Sequence, residues 1–174
     1  SYYYSLPHLA VSGSVYAGGR SSRVAGSAWF DHEWSTAYLE PDADGWDWIG
    51  INLEDGGALM AFRMRRRAGG ALWAGATRRD AAGNTRTYSP EEIAWRPVRE
   101  WRSGRTGTSY PVAWQVRVGD LTLDLEPLMD DQEHDARVSA GTVYWEGAVT
   151  ARSARRVVGR GYLELTGYWR ALRL

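Results

Sequence analysis

The sequence contains no cysteine and no lysine among its 174 residues. The lack of cysteine excludes disulfide bonds, thiolate catalysis and cysteine zinc sites. Because lysine is absent, all 21 basic residues are arginine, and 21 acidic residues balance them to a net charge of zero. The arginines are scattered and form no basic stripe, so a nucleic-acid partner is not expected.

Long apolar runs are also missing. No segment approaches the ~20 apolar residues of a transmembrane helix, and the first residues lack the basic head and apolar stretch of a signal peptide. A Gly-x-Ser-x-Gly elbow, a phosphate-binding loop and a dinucleotide fingerprint are absent as well. We therefore expect no membrane span, no signal peptide in this chain and no cofactor.

Phenylalanine is scarce, with two residues, whereas tryptophan and tyrosine occur ten times each. Tryptophan and tyrosine each combine an apolar body with a polar tip. This balance suits a cavity that is apolar and still offers hydrogen bonds. The composition is therefore typical of a protein that binds a lipophilic small molecule.

Helical periodicity is nearly absent, and segments of period two are bounded by Gly, Asp, Asn and Pro. The length suits one domain over residues 1–174. Many strands with hairpin links predict an all-β, antiparallel barrel or sandwich with at most one or two short helices. The predicted strands are His8–Tyr16, Ser22–Phe30, Trp46–Leu53, Ala58–Arg66, Ala71–Arg78, Thr85–Ser89, Pro111–Val118, Leu121–Glu126, Thr142–Thr150 and Arg160–Trp169.

Four connecting segments carry further predictions. Glu54–Gly57 and Asp80–Asn84 are predicted to be hairpin turns, in which glycine supplies a positive φ. Arg99–Gly107 is predicted to be the most mobile loop, followed by Asp130–Val138.

The last two predicted strands each alternate between a Tyr/Glu face and an apolar face. Tyr144 and Glu146 share one such face, and Tyr162, Glu164 and Tyr168 share the other. If the apolar faces point outwards, the Tyr/Glu faces line a barrel interior. If the apolar faces form the core, the Tyr/Glu faces point to solvent. The sequence leaves both arrangements open.

The segment Asp31-His32-Glu33-Trp34 is a candidate reaction centre. Histidine titrates near neutrality, and a neighbouring carboxylate can fix its tautomer, so these residues could perform acid/base chemistry. Alternatively, the carboxylates satisfy turn amides or arginines and the histidine is a packed polar group. Alternation places Asp31 and Glu33 on the strand face opposite His32 and Trp34. No metal site is predicted, because the other histidines show no ligand spacing.

Two further groups are candidates for a site. Trp46 and Trp48 share a strand face and could form the wall of an apolar pocket or stabilise a cation through their rings. A carboxyl in such a pocket has a raised pKa and can donate a proton at neutral pH, a role open to Glu146 and Glu164. The alternative for the two glutamates is pairing with Arg63 or Arg65.

Several segments together resemble the AttH/CrtC family, which includes carotenoid 1,2-hydratases, kievitone-hydratase-like proteins and chains called secreted hydrolases or lipocalin-like. The resemblance runs nearly the whole length of the chain, in order. The segments that carry it are Ser1–Leu9, Val24–Ser35, Gly45–Gly50, Leu59–Arg65, Val143–Val149 and Gly161–Tyr168.

The resemblance implies a calycin or lipocalin-like barrel that corresponds to the second, C-terminal half of a two-domain family, so a partner N-terminal lipocalin-like domain is expected. It also implies a periplasmic or secreted location. The implied activity is hydration of an isoprenoid-type C=C. Ester hydrolysis and non-catalytic binding of a lipid, isoprenoid or polyketide-like ligand, or a cyclisation scaffold, are the alternatives.

The resemblance also distributes roles among the candidate residues. The implied catalytic residues are Asp31, His32, Glu33 and Glu146. The implied substrate-binding residues are Trp34, Trp46, Trp48, Tyr144, Tyr162, Glu164 and Tyr168.

Overall fold

The computed structural model describes residues 2–36 and 40–172. Regular structure in these ranges consists of twelve β-strands and one short 3-10 turn, Pro90–Glu92. The strands are β1 (Tyr2–Ala17), β2 (Arg20–Trp34), β3 (Ala43–Leu53), β4 (Ala58–Arg66), β5 (Ala71–Arg79), β6 (Thr85–Tyr88), β7 (Ile93–Arg102), β8 (Ser109–Val118), β9 (Leu121–Pro127), β10 (Glu133–Ala136), β11 (Thr142–Ser153) and β12 (Arg156–Leu165).

The strands form two antiparallel sheets. β1 and β2 pair only with each other, as a long hairpin, and the other ten strands form one sheet in the order β6-β5-β4-β3-β12-β11-β9-β8-β7, with β10 added to β11. The predicted all-β antiparallel class is therefore confirmed. The ten predicted strands are present, whereas β7 and β10 were not predicted.

The expected barrel is not closed in the described part of the chain. The ladders of the described residues contain no pairing between β6 and β7, which end the ten-stranded sheet. β6 has only four residues, and Pro97 in β7 has no N–H to donate to a neighbouring strand. β7 also carries two register shifts, after Pro97 and after Arg99. The sheet is thus curled but open, consistent with a calycin-like fold.

The core lies on the concave side of the ten-stranded sheet. Trp145, Leu163 and Leu165 have no exposed surface, and they pack with buried side chains of β3, β4, β8 and β9. The apolar faces of β11 and β12 therefore form the core, which settles the choice that the sequence left open. Tyr144, Glu146, Tyr162 and Glu164 lie on the convex face.

The hairpin turns at Gly18 and Gly19, whose φ angles of 55° and 75° suit the tight turn between β1 and β2. The predicted turns at residues 54–57 and 80–84 are also present, with φ angles of 88° at Gly56 and 93° at Gly83. The predicted split of the hairpin faces holds, because Trp29 and Asp31 point to the sheet and Phe30 and His32 point away.

The segments 99–107 and 130–138, which were predicted to be loops, are partly strand, because β7 ends at Arg102 and β10 spans Glu133–Ala136. Ser103 and Thr106 each donate a 2.6 Å hydrogen bond to the carboxylate of Glu133, and Tyr110 donates a third at 3.0 Å. The Glu133 side chain is fully buried. A buried carboxylate needs such donors. Through these hydrogen bonds Glu133 holds the β7–β8 loop against β10.

Within the described residues, no helix is long or apolar enough to cross a membrane.

Candidate functional site

A cavity of about 870 Å³ lies between the hairpin and the convex face of the ten-stranded sheet, and we call it the hairpin–sheet cavity. Its lining includes His8, Trp29, Asp31, Trp48, Asn52, Glu146, Arg160 and Tyr162. The hairpin supplies the first three of these residues, and the ten-stranded sheet supplies the other five. A site of mixed aromatic and charged side chains is therefore formed outside the core rather than inside it.

An acidic pair lies on the sheet next to this cavity, and one of its two members, Glu146, lines the cavity. Glu146 of β11 and Glu164 of β12 are directly opposite each other in the ladder and share the convex face. Burial raises the pKa of Glu164 to about 7; a hydrogen bond from Trp46 opposes this rise, and the charges of Glu146 and Asp31 add to it. Burial also raises the pKa of Glu146. The pair therefore keeps a proton to a higher pH than an isolated glutamate does.

Indole rings surround the acidic pair. Trp48 is the ladder partner of Glu164, and its ring meets that of Trp29 edge to face, with centroids 6.1 Å apart. Gly50 makes this arrangement possible, because a Cβ there would lie 2.4 Å from the Trp48 ring and 2.8 Å from the Trp29 ring. Both rings thus approach the backbone at Gly50 and give the cavity an apolar wall.

Asp31 is the centre of a hydrogen-bond network between the hairpin and the sheet. Its Oδ1 accepts hydrogen bonds from Tyr3 at 2.5 Å, from Ser5 at 2.6 Å and from the Trp29 indole at 2.7 Å. The Trp48 indole in turn donates to the Tyr3 hydroxyl at 3.2 Å. Burial, together with the hydrogen bond to Asp31, raises the pKa of Tyr3, so its hydroxyl remains protonated as a donor. This network orients Asp31 and ties the hairpin to β3.

His8 is a cavity residue that the sequence analysis did not select. It follows Pro7 at a register shift between Leu6 and Leu9, and its φ of 56° is in the left-handed region. Its N–H donates to the side chain of Asn52 at 3.0 Å, and its Nε2 lies 2.7 Å from the carbonyl oxygen of Gly57. The only sequence signal was a Pro-His pair inside an otherwise regular strand, which is typical of a bulge.

His32 and Trp34 lie on the other face of the hairpin, away from the cavity. They join an aromatic cluster in which the His32 ring is 5.2 Å from the Trp34 ring and 5.5 Å from the Tyr4 ring. Tyr2 stacks on Trp34 at 5.4 Å, and Phe30 completes the cluster. The predicted Asp31-His32-Glu33 segment is therefore divided, with its two carboxylates facing the sheet and its histidine facing outwards.

Of three further predicted site residues, two are separated from the cavity and the third lines it. Tyr144 lies on the convex face, where it stacks on His134 at 5.3 Å. Tyr168 turns into the concave side and donates to the buried carboxylate of Asp47 at 2.9 Å. Tyr162 lines the cavity and is half exposed.

The alternative partners considered for the two glutamates are used elsewhere. Arg63 and Arg65 bind Asp47 on the concave side, at 2.6 and 2.5 Å. The side chain of Asp47 is fully buried, so the two arginines and Tyr168 satisfy it inside the core. The proposed pairing of Glu146 or Glu164 with these arginines is therefore wrong, and the acidic pair has no arginine of β4 to neutralise it.

The donor set does not form a metal centre in the part of the chain that is described. Across residues 2–36 and 40–172, no group of three or more His, Cys, Asp or Glu side chains could hold a metal ion. The side chains that line the cavity include a carboxyl group of the acidic pair, indole rings and hydrogen-bonding polar groups.

Comparison with known proteins identifies relatives of the whole fold. The profile of a family described as AttH-like matches residues 1–168. A crystal structure of a protein assigned to AttH from Nitrosomonas europaea superposes with a TM-score of 0.92 at 54% identity, over 96% of this chain and 52% of that one. No curated protein matches the sequence.

A more distant structure is similar in fold alone. The crystal structure of kievitone hydratase from Nectria haematococca has a TM-score of 0.73 at 19% identity, over 97% of this chain and 53% of that one. The chain thus spans about half the length of both solved structures that it matches here.

Proposed function

Since this chain belongs to the AttH-like family, we propose that it is a lipocalin-fold domain that adds water to an isolated C=C of an isoprenoid-type substrate bound in the hairpin–sheet cavity. The observation that carries the proposal is the acidic pair. Glu146 and Glu164 are in register on neighbouring strands, next to indole rings, and the pKa of Glu164 is raised to about 7. Such a pair supplies a proton at a pH where an ordinary glutamate is ionised.

The proposed reaction begins with proton transfer from the acidic pair. Glu146 lines the cavity, so its carboxyl gives the proton to one alkene carbon, and the π electrons form the new C–H bond. The other carbon becomes a carbocation. The ring faces of Trp29 and Trp48 and the negative charge of Asp31 stabilise it.

Water completes the reaction at the cationic carbon. Its oxygen forms the C–O bond, and one of its protons returns to the carboxylate of Glu146. Because Glu164 lies directly opposite, the recovered proton is again shared by the pair. The sum is the alkene and one water giving an alcohol, with the acid regenerated.

The hydrogen bonds of Asp31 favour a second candidate, which is non-catalytic binding of a lipophilic ligand. Asp31 accepts three hydrogen bonds from the hairpin itself, which is typical of a structural carboxylate. In this version the cavity binds an apolar molecule, and the raised pKa of the acidic pair keeps negative charge away from that molecule. Both candidates need the same cavity, so only turnover separates them.

The test uses the full chain with 2,6-dimethyl-2-octene in water enriched in heavy oxygen, followed by mass spectrometry of the extract. We expect the labelled alcohol from the unmodified chain and a loss of at least a hundredfold for Glu146→Gln, a typical contribution of a general acid of ~10²-fold or more. Glu126→Gln is the control, because Glu126 pairs with Arg99 outside the cavity.

Other outcomes assign the function differently. Binding of the alkene without labelled product supports the carrier. Cleavage of a short-chain nitrophenyl ester that is lost in His32→Ala supports an ester hydrolase whose centre lies on the outer hairpin face. If the chain neither binds the alkene nor converts it, the proposal is overturned.

A further inference from the structure

His8 is held in an uncommon backbone conformation at the cavity. A histidine with a φ of 56° occupies a region that non-glycine residues rarely adopt, and such strain is concentrated at functional sites. The register shift between Leu6 and Leu9 removes His8 from the hairpin ladder. Its N–H is then free to bind Asn52 across the gap between the two sheets.

The hydrogen bond of the ring fixes its tautomer. The carbonyl oxygen of Gly57 can only accept, so the Nε2 of His8, 2.7 Å away, carries the hydrogen. In the neutral ring the other nitrogen, Nδ1, then has a lone pair and acts as an acceptor. His8 thus offers the cavity an oriented hydrogen-bond acceptor.

The strand register separates His8 from the acidic pair. Asn52, which holds His8, is the ladder partner of Arg160, whereas Trp48 is the ladder partner of Glu164. Four residues along β3 correspond to about 13 Å at ~3.3 Å per residue. The cavity therefore has an acidic end and, about that distance away, a second end formed by His8, Asn52 and Arg160, which we call the polar end.

We propose that the polar end binds the hydroxyl group of an amphiphilic substrate whose C=C lies at the acidic end, an inference that rests on the proposed function. A hydroxyl donates to Nδ1 of His8, and its oxygen accepts from the guanidinium of Arg160. Arg160 lines the same cavity, is the ladder partner of Asn52, and pairs with Glu54 at 3.2 Å on the surface. A carboxylate has no hydrogen for Nδ1 and fits less well. The substrate class is thus a long-chain or isoprenoid alcohol.

The test compares 1-decanol with its methyl ether, 1-methoxydecane, by titration calorimetry on the full chain. Both probes fill the apolar part of the cavity, but only the alcohol can donate a hydrogen bond. We expect the alcohol to bind about tenfold more tightly, which is the value of one net hydrogen bond of ~1.4 kcal/mol.

One variant of His8 removes the acceptor without adding strain. His8→Gly suits a positive φ, so the bulge is retained while the ring is lost. We expect this variant to bind the alcohol as weakly as the ether and to bind the ether as the unmodified chain does. Gly13→Ala is the control, because nothing lies within 4 Å of that position in the hairpin.

The remaining outcomes are decisive as well. If the unmodified chain binds the alcohol and the ether equally well, the polar end does not bind a hydroxyl group. The apolar cavity of the proposed function is not contradicted by that result. A preference for the alcohol that survives in His8→Gly overturns the assignment to His8. If neither probe binds, both hydroxyl binding at the polar end and substrate binding in the cavity of the proposed function are overturned.

Discussion

The indole of Trp29 in the hairpin meets the indole of Trp48 in the sheet edge to face, 6.1 Å between centroids, directly over Gly50. This contact and the bond of Trp48 to Tyr3 join two sheets that share no ladder. The position of the hairpin, and hence the volume of the cavity, therefore depends on these aromatic contacts and on the hydrogen bonds of His8 rather than on strand pairing.

Gly50→Ala is expected to displace these rings. The new Cβ would lie 2.4 Å from the Trp48 ring and 2.8 Å from the Trp29 ring, so at least one ring must move. We expect a loss of about 1–3 kcal/mol in unfolding free energy and faster hydrogen exchange of hairpin amides. Gly13→Ala is the matched control, expected to change stability by less than about 0.5 kcal/mol. Unchanged hairpin exchange in Gly50→Ala would show that the rings do not hold the hairpin.

Glu164 makes stability depend on pH in a defined direction. Its pKa is about 7 in the folded chain against an ordinary value of 4.5, so between these values the folded state holds a proton that the unfolded state has released. The free energy of unfolding therefore falls as the pH rises from 4.5 to about 7. We expect Glu164→Gln, which imitates the protonated form, to be more stable than the unmodified chain above pH 7 by about 1–3 kcal/mol.

Urea denaturation followed by tryptophan fluorescence at several pH values checks this prediction. The two proteins should be similarly stable near pH 4, and their curves should separate through the window between 4.5 and about 7. Glu126→Gln is a control, because Glu126 is a surface partner of Arg99. Parallel curves for Glu164→Gln and the unmodified chain would contradict the raised pKa.

Alternation in the sequence was enough to predict most strands and the two faces of the hairpin. Trp29 and Asp31 share a face because side chains alternate along a strand, whatever the strand packs against. Alternation could not show which face of β11 and β12 is the core, because both an apolar interior and a Tyr/Glu interior fit the same pattern. Only the packing of Trp145 and Leu163 with other strands decides it.

The parts of the site that escaped prediction depend on contacts between distant residues. His8 reaches the cavity through a bulge and through Asn52, 44 residues away in sequence, and no local pattern indicates that pairing. β7 was not predicted, and its last residues, from Arg99 on, were assigned to a loop; Pro97 and two register shifts interrupt the regular pattern of this strand. Barrel closure was also beyond the sequence, since it depends on how far two edge strands approach.

Asp47 is expected to be essential for stability, although it is not part of the cavity. Its fully buried carboxylate binds Arg63 and Arg65 at 2.6 and 2.5 Å. Asp47→Asn removes the charge and leaves two arginines without their partner in the core, which typically costs about 3–5 kcal/mol. Thermal or urea unfolding measures the loss.

Asp44→Asn is the matched control for this substitution. Asp44 also pairs with an arginine, Arg67, but at 3.2 Å, with the Arg67 side chain exposed and the Asp44 side chain partly exposed. Such a surface pair contributes about 0–1 kcal/mol. Equal effects of the two substitutions would show that the buried cluster does not stabilise the fold.

Two substitutions of Asp31 test whether its carboxylate is only structural or also raises the pKa of Glu164 in the acidic pair. Asp31→Asn keeps an oxygen that can accept from Tyr3, Ser5 and Trp29 but removes the negative charge. Because that charge raises the pKa of Glu164, we expect Asp31→Asn to lower the pKa of Glu164 while the hairpin stays in place. Asp31→Ala removes the acceptor as well, so it should also release the hairpin and destabilise the chain by about 1–3 kcal/mol.

An NMR titration of the Glu164 side-chain carboxyl reports the first effect, and hydrogen exchange of the hairpin amides reports the second. Asp124→Asn is the control, because Asp124 binds Gln115 on a distant part of the sheet. A lower pKa of Glu164 in Asp31→Asn, with unchanged exchange, would assign Asp31 an electrostatic role in the cavity beside its structural one. If the pKa stays the same and only Asp31→Ala loosens the hairpin, Asp31 holds the two sheets together and has no influence on the proton of the acidic pair.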